Sequence, residues 1–391
     1  MNMLYIVPNH DMTNCCCGVT KKIKSQKQAF SNLGVKGEMI YLKENELYKE
    51  NLFNEDSIII SPNIKKKNKY KEIMLYIIAN IDLENLDCIY IRYPRSDRYL
   101  INFVKKIKKI NKNIKILVEI VTYPYDKEDT FYILKYNDSI KSKISYTIKI
   151  VKDRIYRRNL KKYIDRIVTF SEDECIFGIK TLITSNGIDK DIIITNKSSK
   201  IDTNIVNMIG VGGIAKHHGF DRVILGISNY NKENENKVCF HIVGDGLEVE
   251  NLKKITVDHK QDEYVKFHGY KSGEELNILY EIADVAIGSI GRHRNNIYQL
   301  ADLKSREYCA KGIPFIKTVR DIDFENFEYC LTIDANENAV DIEKVIYFYD
   351  NIKRKDYYEL EMAKFAKENL TWENKLLPVI DYVKNKKENR I

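Results

Sequence analysis

The sequence contains no apolar run long enough to cross a membrane. Its longest apolar stretches have the length of single strands, whereas a spanning helix needs roughly 18 apolar residues. A strand-like segment already occupies residues 4–7, and a cleavable leader would need a longer apolar centre behind a basic start. We therefore expect no signal peptide and a cytoplasmic location.

Cysteine and proline patterns that mark other protein classes are also missing. The eight cysteines lack framework spacing, and the triplet Cys15-Cys16-Cys17 lacks the Cys-x-x-Cys geometry of a zinc site. We interpret the cysteines as reduced thiols and the triplet as a loop feature, with metal binding as the remoter alternative. No acidic motif of the Asp-x-Asp type stands in a convincing loop, so we predict no metal site. Only six prolines beside abundant Lys, Ile, Asn and Tyr indicate an AT-rich coding bias rather than a function.

What is present is the composition of a globular protein with more than one domain. The chain has 391 residues, of which 44% are hydrophobic and 31% charged, and two domains are the default at this length. In the first half, strand patterns alternate with helical patterns, which predicts a parallel sheet covered by helices on both faces. The predicted strands span residues 4–7, 38–42, 57–60, 88–92, 114–120 and 166–169.

The second half repeats this rhythm after a turn signal at Asn186-Gly187, where we place the domain boundary. Predicted strands at 204–211, 238–243, 265–270 and 284–287 alternate with helices that begin near residues 219 and 273. This order is typical of a doubly wound nucleotide-binding domain.

The stretch 284–317 holds the clearest candidate site. A short strand is followed by a basic loop with Arg292, His293 and Arg294, and a helix then begins near Lys304 and ends at Gly312. A loop that leads from a strand into a helix N-terminus exposes backbone N–H groups and the positive end of the helix dipole. The pattern therefore predicts an anion site.

Polar and aromatic residues follow the predicted strands of the first half. Gly18 would allow a ligand to approach the backbone closely. The interpretation that Gly18 only forms a turn has equal weight. The strand ends also supply an arginine, a carboxylate, a hydroxyl and tyrosines, which suit the hydroxyls and C–H faces of a sugar. The alternative explanation is that tyrosines occur at these strand ends only because the chain contains 27 of them. The residues in question are Arg92, Tyr93, Glu119, Thr122 and Tyr123.

Residues 141–166 combine ten Lys or Arg with two acids and regularly spaced apolar side chains. A helix of this composition can bury an apolar stripe and turn its cations outward. Three interpretations stay open: a solvated helix face, attraction to an anionic membrane surface, and nucleic-acid binding. The last is disfavoured because no recognition module accompanies the charge.

Several motifs taken together resemble the family 4 glycosyltransferases of the GT-B class. The spacing Gln299-x7-Glu307 followed by Gly312 and Pro314 is similar to the Glu-x7-Glu region of that family. The segments GVTKKIKSQ, HGFDR, LKSREY and KGIPFI resemble a subset that builds bacterial surface polysaccharide. SNGID is similar to the segment that links the two domains, and IVGDGLEVENL and FHGYKSGEEL occur in the order of the family. The resemblance covers nearly the whole chain.

The resemblance implies two Rossmann-like domains that face each other across a cleft and close about a hinge. It implies an N-terminal acceptor domain at 1–187, a donor domain at 188–370 and a final helix at 371–391 that crosses back. It further implies a metal-independent, retaining hexosyltransferase that uses a UDP- or GDP-sugar as substrate and no cofactor. The acceptor would be a saccharide or a lipid-linked saccharide, and the enzyme would lie in the cytoplasm or peripherally on the inner membrane face.

The resemblance also implies roles for individual residues. Glu307 would accept hydrogen bonds from both ribose hydroxyls, backbone at Asp302 and Leu303 would approach the diphosphate, and Phe267 to Tyr270 would border the base. Catalytic roles would fall to Glu307, Gln299, Arg294 and Lys304. The donor-binding residues would be Gly18, Gly213, His218, Arg222, Gly244, Asp245, Gly246, Phe267, His268, Gly269, Tyr270, Asp302, Leu303 and Glu307.

The sequence departs from the family pattern at two places. Gln299 replaces the first glutamate, and Gly213 and His218 stand near the positions of the usual Arg and Lys clamp. The cation that binds the diphosphate would then come from elsewhere. Candidates are Lys216, Arg222, Arg294 and Lys304. Two other functions stay open: a nucleotide-sugar epimerase with the same fold, and a module that binds nucleotide or glycan without turnover.

Overall fold

The computed structural model describes residues 1–14, 18–54, 56–61, 69–125, 139–196, 205–235 and 237–385. The chain divides into two compact units, the first formed by Met1–Ser185 with Trp372–Ile391 and the second by Asn186–Thr371. Each unit is an α/β domain built on a sheet that is wholly or largely parallel, which confirms the expected fold class. The cysteine triplet at 15–17 lies outside the described residues.

Over the described residues, the sheet of the first unit has nine strands in the order β4-β3-β2-β1-β5-β6-β7-β9-β8. Strands β1, β2, β5, β6, β7 and β9 run parallel to their neighbours in this central part. The strands are β1 (Asn2–Asp11), β2 (Lys36–Lys43), β3 (Glu46–Asn51), β4 (Ser57–Ser61), β5 (Cys88–Arg92), β6 (Lys115–Ile120), β7 (Arg166–Thr169), β8 (Cys175–Ile176) and β9 (Ile179–Ile183).

One edge of this sheet corrects the sequence prediction. A helical pattern was expected between the strands at 38–42 and 57–60, but β3 occupies that interval and pairs antiparallel with both β2 and β4. The turn between β2 and β3 holds Glu44 and Asn45 at positive φ of 50° and 65°. Two consecutive residues in the left-handed region favour a tight hairpin, and a hairpin joins antiparallel strands without a helix.

Five helices of the first unit are described: α1 (Gly18–Asn32), α2 (Lys69–Asn80), α3 (Arg98–Ile110), α4 (Ile140–Tyr156) and α11 (Trp372–Lys384). Their apolar sides and the alternating strand residues form a core that includes Leu4, Ile89, Phe103 and Val118. Helix α11 follows the second unit in the chain and packs on α1.

Helix α4 differs from the expectation of a buried apolar stripe. It is followed by a 3₁₀ turn over Arg157–Lys162, and Arg166 already belongs to β7. The row Ile140, Ile144, Ile148, Val151 and Ile155 faces outward, with exposures between 48% and 76%. The face turned to the protein instead carries Asp153, which is 2% exposed.

In the described part of the second unit, six strands form a sheet in the order β12-β11-β10-β13-β14-β15, and all of their pairs are parallel. The strands are β10 (Ile205–Val211), β11 (Lys237–Val243), β12 (Val265–Gly269), β13 (Val285–Ile287), β14 (Phe315–Lys317) and β15 (Cys330–Thr332). Neighbouring residues of one strand enter different cores: Met208 joins the core on one face and Ile209 the core on the other.

Helices cover both faces of this sheet. They are α5 (Phe220–Glu233), α6 (Val249–Asp258), α7 (Glu274–Glu281), α8 (Leu303–Ala310), α9 (Ile342–Lys353) and α10 (Tyr358–Phe365). Among the parallel strands of each unit the strand order reverses once. The reversal lies between β1 and β5 in the first unit and between β10 and β13 in the second. Ligands of open α/β sheets bind outside the carboxyl ends of the strands at such a reversal.

Within the described part of the chain, no helix combines the length and the apolar character needed to cross a bilayer.

Candidate functional site

The loops after β10, β11 and β12 hydrogen-bond to each other through their backbones. Gly212 N donates to Val243 O at 2.9 Å, Gly244 N donates to Gly269 O at 2.7 Å, and Ile214 N donates to Asp245 O at 2.8 Å. A Cβ atom on Gly244 would lie 1.9 Å from Gly212 O, and one on Gly246 would lie 2.2 Å from Ile214 O. Glycine is therefore required for this close backbone packing at the carboxyl edge of the sheet.

The loops after β10 and β13 meet at the reversal point. Ile290 N donates to His218 O at 3.0 Å, and Gly291 N donates to His217 O at 3.1 Å. Gly219 has a φ of +69°, and a Cβ atom there would lie 2.8 Å from Gly291 N. The two loops are thus fixed to each other at the position where the fold predicts a ligand.

Lys304 lies in the first turn of α8, beside the loop that follows β10. The helix begins after Asp302, whose side chain caps it by accepting a hydrogen bond from Ser305 N at 2.8 Å. The Nζ atom of Lys304 is shielded from solvent and has no hydrogen-bond partner among the residues that the structure describes. A Cβ atom on Gly212 would lie 2.6 Å from it. Burial lowers the pKa of Lys304 to about 8, against an opposing effect of the Asp302 charge.

Two histidines adjoin this ammonium group. The rings of His217 and His218 are 4.4 Å apart, and His218 Nδ1 accepts a hydrogen bond from Ala215 N at 3.0 Å. Burial lowers the pKa of His217 to about 4 and that of His218 to about 2, and the charges of Arg292 and Lys304 add to the effect. Both rings are therefore neutral at pH 7. The cluster has an excess of positive charge that an anion would relieve.

Glu307 follows Lys304 by one helical turn. Its Oε2 atom accepts a hydrogen bond from the Tyr280 hydroxyl at 3.4 Å. Burial, followed by the negative charge of Glu307, raises the pKa of Tyr280. The Lys311 ammonium binds Asn277 Oδ1 at 3.0 Å. The carboxylate of Glu307 is only partly buried, so it can accept further hydrogen bonds from a ligand.

Two of the four candidate cations are engaged by protein acceptors. Arg294 binds Asp221 in a bidentate pair at 3.0 and 2.7 Å, and it also binds Glu337 and Lys216 O. Arg222 is 2% exposed and donates to Ile290 O, Asn338 O and Asp334 O. These arginines hold the loops around the reversal point.

Arg306 plays a similar part within the LKSREY motif. Its fully buried guanidinium binds Asp321 at 2.7 and 3.0 Å, Asp323, and the backbone oxygens of Asn186 and Asp302. It ties the start of α8 to the segment after β14.

The remaining predicted donor residues occupy different surroundings. Gln299 is exposed and forms an isolated bridge with Arg320. The His268 ring is 2.9 Å from His241 Nδ1, and Tyr270 is 58% exposed. Gly213, Asp245, Gly246, Phe267 and Gly269 all lie in the interlinked loops or at the strand ends that lead into them.

In the first unit, three predicted acceptor residues lie at or next to the reversal between β1 and β5. Arg92 binds the fully buried Glu119 at 3.1 Å, and Tyr93 donates to Asp153 at 2.6 Å. Burial would raise the pKa of Glu119, but the charges of Lys22 and Arg92 outweigh it and lower that pKa. Tyr123 packs edge-on against Tyr125 with ring centroids 6.3 Å apart.

Gly18 begins α1 in the same unit, and a Cβ atom there would meet no atom of the described residues within 4 Å. No close approach of protein atoms therefore requires glycine at this position. Thr122 lies in the bend that follows β6.

Sequence reasoning missed several contributors. Lys22 pairs with Glu119 at 3.2 Å and stacks 4.0 Å over the Phe170 ring, and burial lowers its pKa to about 7. Gln26, one turn later, donates to Glu119 at 2.8 Å. The four-residue spacing of these two polar residues places them on one face of α1, and this spacing could have indicated a shared polar contact. Gly212 and His217 were likewise not selected.

Among the residues that the structure describes, no three His, Cys, Asp or Glu side chains are grouped so that they could hold a metal ion.

Comparison with known proteins agrees with this architecture. Residues 191–290 match the family model described as Glycosyl transferases group 1, and this segment lies in the second unit. No curated protein sequence matches the chain significantly.

Solved structures match over nearly the whole chain. A glycosyltransferase from Rickettsia africae ESF-5 has a TM-score of 0.64 at 14% identity, covering 100% of this chain and 99% of that one. Sucrose-phosphate synthase from Thermosynechococcus elongatus has a TM-score of 0.60 at 12% identity, covering 97% and 98%. Anabaena Alr3699/HepE in complex with UDP and glucose has a TM-score of 0.56 at 11% identity, covering 98% and 99%. The fold is that of the GT-B glycosyltransferases, and residues 191–290 of the second unit are similar to the group 1 family model.

Proposed function

We propose that the protein is a retaining glycosyltransferase of the family 4 type. It transfers a hexose-type sugar from a UDP- or GDP-linked donor to a saccharide or lipid-linked saccharide acceptor in surface polysaccharide assembly. The donor is a substrate, and the reaction uses no cofactor and no metal ion.

The observation that carries this proposal is the ammonium group of Lys304. It is buried beside the glycine loop after β10, at the reversal point of the sheet, and none of the described residues accepts a hydrogen bond from it. A buried cation without a partner is costly, and a bound anion removes much of that cost. The first turn of α8 adds the positive end of a helix dipole. These features together suit the diphosphate of a nucleotide sugar.

The position of Glu307 favours a nucleotide over inorganic phosphate as the ligand of this site. Its carboxylate lies one turn beyond Lys304 on the same helix, and a carboxylate can accept hydrogen bonds from two hydroxyl groups at once. The ribose of a nucleoside diphosphate presents such a pair next to its phosphates. A GT-B relative of similar length, Anabaena HepE, has been crystallised with UDP and glucose.

The proposed chemistry follows from the distribution of charge. As the bond between the sugar and the diphosphate breaks, positive charge develops on the sugar and negative charge on the departing phosphate. Lys304 and the N-terminus of α8 stabilise that negative charge from fixed positions, which lowers the barrier. The departing phosphate oxygen accepts the proton of the attacking hydroxyl, so no separate base is needed. Arg222, Arg294 and Arg306 act on this step only by holding the loops and the helix in place.

The test is incubation of the protein with a panel of UDP- and GDP-sugars in the presence of EDTA, followed by NMR of the products. We expect slow donor hydrolysis for one sugar nucleotide, with release of the same anomer that the donor carried. Lys304→Met should lower this rate by at least about 100-fold. The matched control Lys253→Met, on the exposed surface of α6, should leave it unchanged.

The outcomes separate the alternatives. A changed sugar configuration in the nucleotide pool would indicate an epimerase, and binding without turnover would indicate a binding module. Release of the opposite anomer would contradict the retaining mechanism, and loss of activity in EDTA would contradict metal independence.

A further inference from the structure

Helix α4 presents a continuous aliphatic row to the outside of the first unit. Ile140 is 76% exposed, Ile144 55%, Ile148 48%, Val151 48% and Ile155 57%. Their spacing of four, four, three and four residues places them on one side of a helix with 3.6 residues per turn. Exposed aliphatic side chains are ordinary when scattered, but a row of five along one helix marks a binding surface.

Cations flank this row on both sides. By the helical period, Lys141 and Lys152 lie along one border, and Lys143 and Arg154 lie along the other. The 3₁₀ turn that follows adds Arg157, Arg158, Lys161 and Lys162. An apolar stripe bordered by basic residues is the pattern of a helix that lies in the interface of a bilayer.

A basic groove adjoins the end of this segment. It encloses about 550 Å³ and is lined by six lysines of α3, of the residues after it and of the 3₁₀ turn: Lys105, Lys108, Lys109, Lys112, Lys161 and Lys162. Asp165 pairs with Lys108 at 2.8 Å and is the one acid in the lining. The positive charge of α4 thus continues onto a concave surface sized for phosphate-bearing groups.

The opposite face of α4 is fixed to the protein by a buried carboxylate. Asp153 accepts hydrogen bonds from the Tyr93 hydroxyl at 2.6 Å, Ser96 N at 2.6 Å and the Tyr125 hydroxyl at 2.7 Å. These partners belong to the loops that follow β5 and β6. Because the helix cannot turn without leaving a buried charge unpaired, its aliphatic row is held outward.

We propose that α4 seats this protein on the surface of a bilayer rich in anionic lipid. The aliphatic row enters the level of the upper acyl chains, and the flanking cations and the lysine groove bind the phosphates of the headgroups. The charge of this surface selects an anionic membrane over a second copy of the chain, because two copies would bring their cations together.

The same contacts connect the membrane surface to the candidate acceptor residues. Tyr93, which binds Asp153, follows Arg92 at the carboxyl end of β5. On the basis of the proposed glycosyltransferase function, an acceptor saccharide carried on a membrane lipid is delivered beside these loops. Membrane binding itself does not depend on that function.

The test is sedimentation of the purified full-length chain with vesicles. We expect binding to equal parts of phosphatidylglycerol and phosphatidylcholine, and at least about tenfold weaker binding to phosphatidylcholine alone. Raising NaCl from about 0.05 to about 0.5 M should weaken the binding, since headgroup contacts are screened. Because no donor or acceptor is present, this assay can succeed when the transferase assay fails, and the reverse.

A matched pair of double variants separates the aliphatic row from general hydrophobicity. Ile144→Glu with Ile148→Glu should weaken vesicle binding by at least about tenfold. Leu75→Glu with Ile278→Glu changes two aliphatic residues that are each 53% exposed on other helices, and it should leave binding unchanged. Circular dichroism and the melting temperature confirm that each variant is folded.

A second pair tests the charge. Lys141→Gln with Lys152→Gln should weaken binding to anionic vesicles by about tenfold. Lys253→Gln with Lys364→Gln should not. Failure of the wild-type chain to bind anionic vesicles, or equal binding by the Ile144 and Ile148 double variant, would overturn the proposal. So would a concentration-dependent dimer in solution that this double variant abolishes.

Discussion

The ammonium nitrogen of Lys304 lies 2.6 Å from the point that a Cβ atom on Gly212 would occupy. The two residues are separated by β11, β12 and β13 in the chain, yet the parallel sheet brings the loop after β10 against the first turn of α8. The absence of a side chain at Gly212 is what allows the cation to lie against the backbone.

Gly212→Ala should weaken UDP binding by at least about tenfold. Gly212 has a φ of +141°, and a methyl group would displace the Lys304 ammonium from the loop. Isothermal titration calorimetry with UDP measures the effect. Gly273→Ala is the control, because its φ of +57° is also positive but no atom of the described residues lies within 4 Å of the added methyl. It should cost about 1–3 kcal/mol of stability through backbone strain and leave UDP affinity intact. Equal weakening by both substitutions would refute the role of the Gly212 contact.

The stability of the free protein should depend on pH through Lys304. Its pKa is lowered from 10.5 to about 8 by burial. Between these values the unfolded chain keeps the proton that the folded protein has released, so stability rises with pH over this range. This shift in the pKa of Lys304 corresponds to a change of at most about 3 kcal/mol in the free energy of unfolding. Denaturant unfolding of the wild type and of Lys304→Met, compared at pH 8 and pH 10.5, isolates the contribution. An identical pH dependence in the two proteins would contradict it.

Glu307→Ala should weaken UDP binding by about tenfold or more, because a charged acceptor of hydrogen bonds is lost. The sharper measurement compares UDP with its 2′-deoxy analogue. The wild type should prefer UDP, whereas Glu307→Ala should bind the two equally. Glu281→Ala, an exposed glutamate at the end of α7, should behave as the wild type. A variant that still discriminates between the two nucleotides would remove Glu307 from the ribose site.

Arg306→Met should destabilise the second unit by about 3–5 kcal/mol. The substitution leaves the buried Asp321 without its bidentate partner and also removes the ion pair between Arg306 and Asp323. Urea unfolding provides the measurement, with the exposed Arg354→Met as the control. Adding Asp321→Leu to Arg306→Met should recover part of the loss. If Arg306→Met impaired UDP binding without lowering stability, Arg306 would have to be reassigned to the ligand.

The alternation of strands and helices was readable from the sequence. Apolar runs of strand length predicted the central strands of both sheets, and the helix expected to begin near Lys304 begins at Leu303. The hairpin strand β3 was missed because Glu46–Asn51 is mostly polar and is only partly buried. A strand of that composition has neither the apolar run of a central strand nor a clear alternation.

Orientation was the harder property to predict. The period of the apolar residues in α4 was evident, but the direction of the row was not. A single carboxylate, Asp153, decides which face turns inward, and its partners come from loops 28 to 60 residues away in the chain. Periodicity identifies a face and is silent about what that face will contact.

The candidate site shows the same limit. Lys304 could be chosen as a cation on a helix start, but its contact with Gly212 depends on how four strands pack. Arg294 and Arg222 were equally plausible from charge alone, and only their acceptors, Asp221, Glu337 and Ile290 O, distinguish them from Lys304.

The anchoring of α4 through Asp153 affects how the protein behaves once it is extracted from cells. In water the helix cannot rotate to bury its isoleucines, because that rotation would break the three short hydrogen bonds that the buried Asp153 accepts. The purified protein will therefore always expose an apolar surface that favours aggregation. Mild detergent will prevent this aggregation better than added salt will.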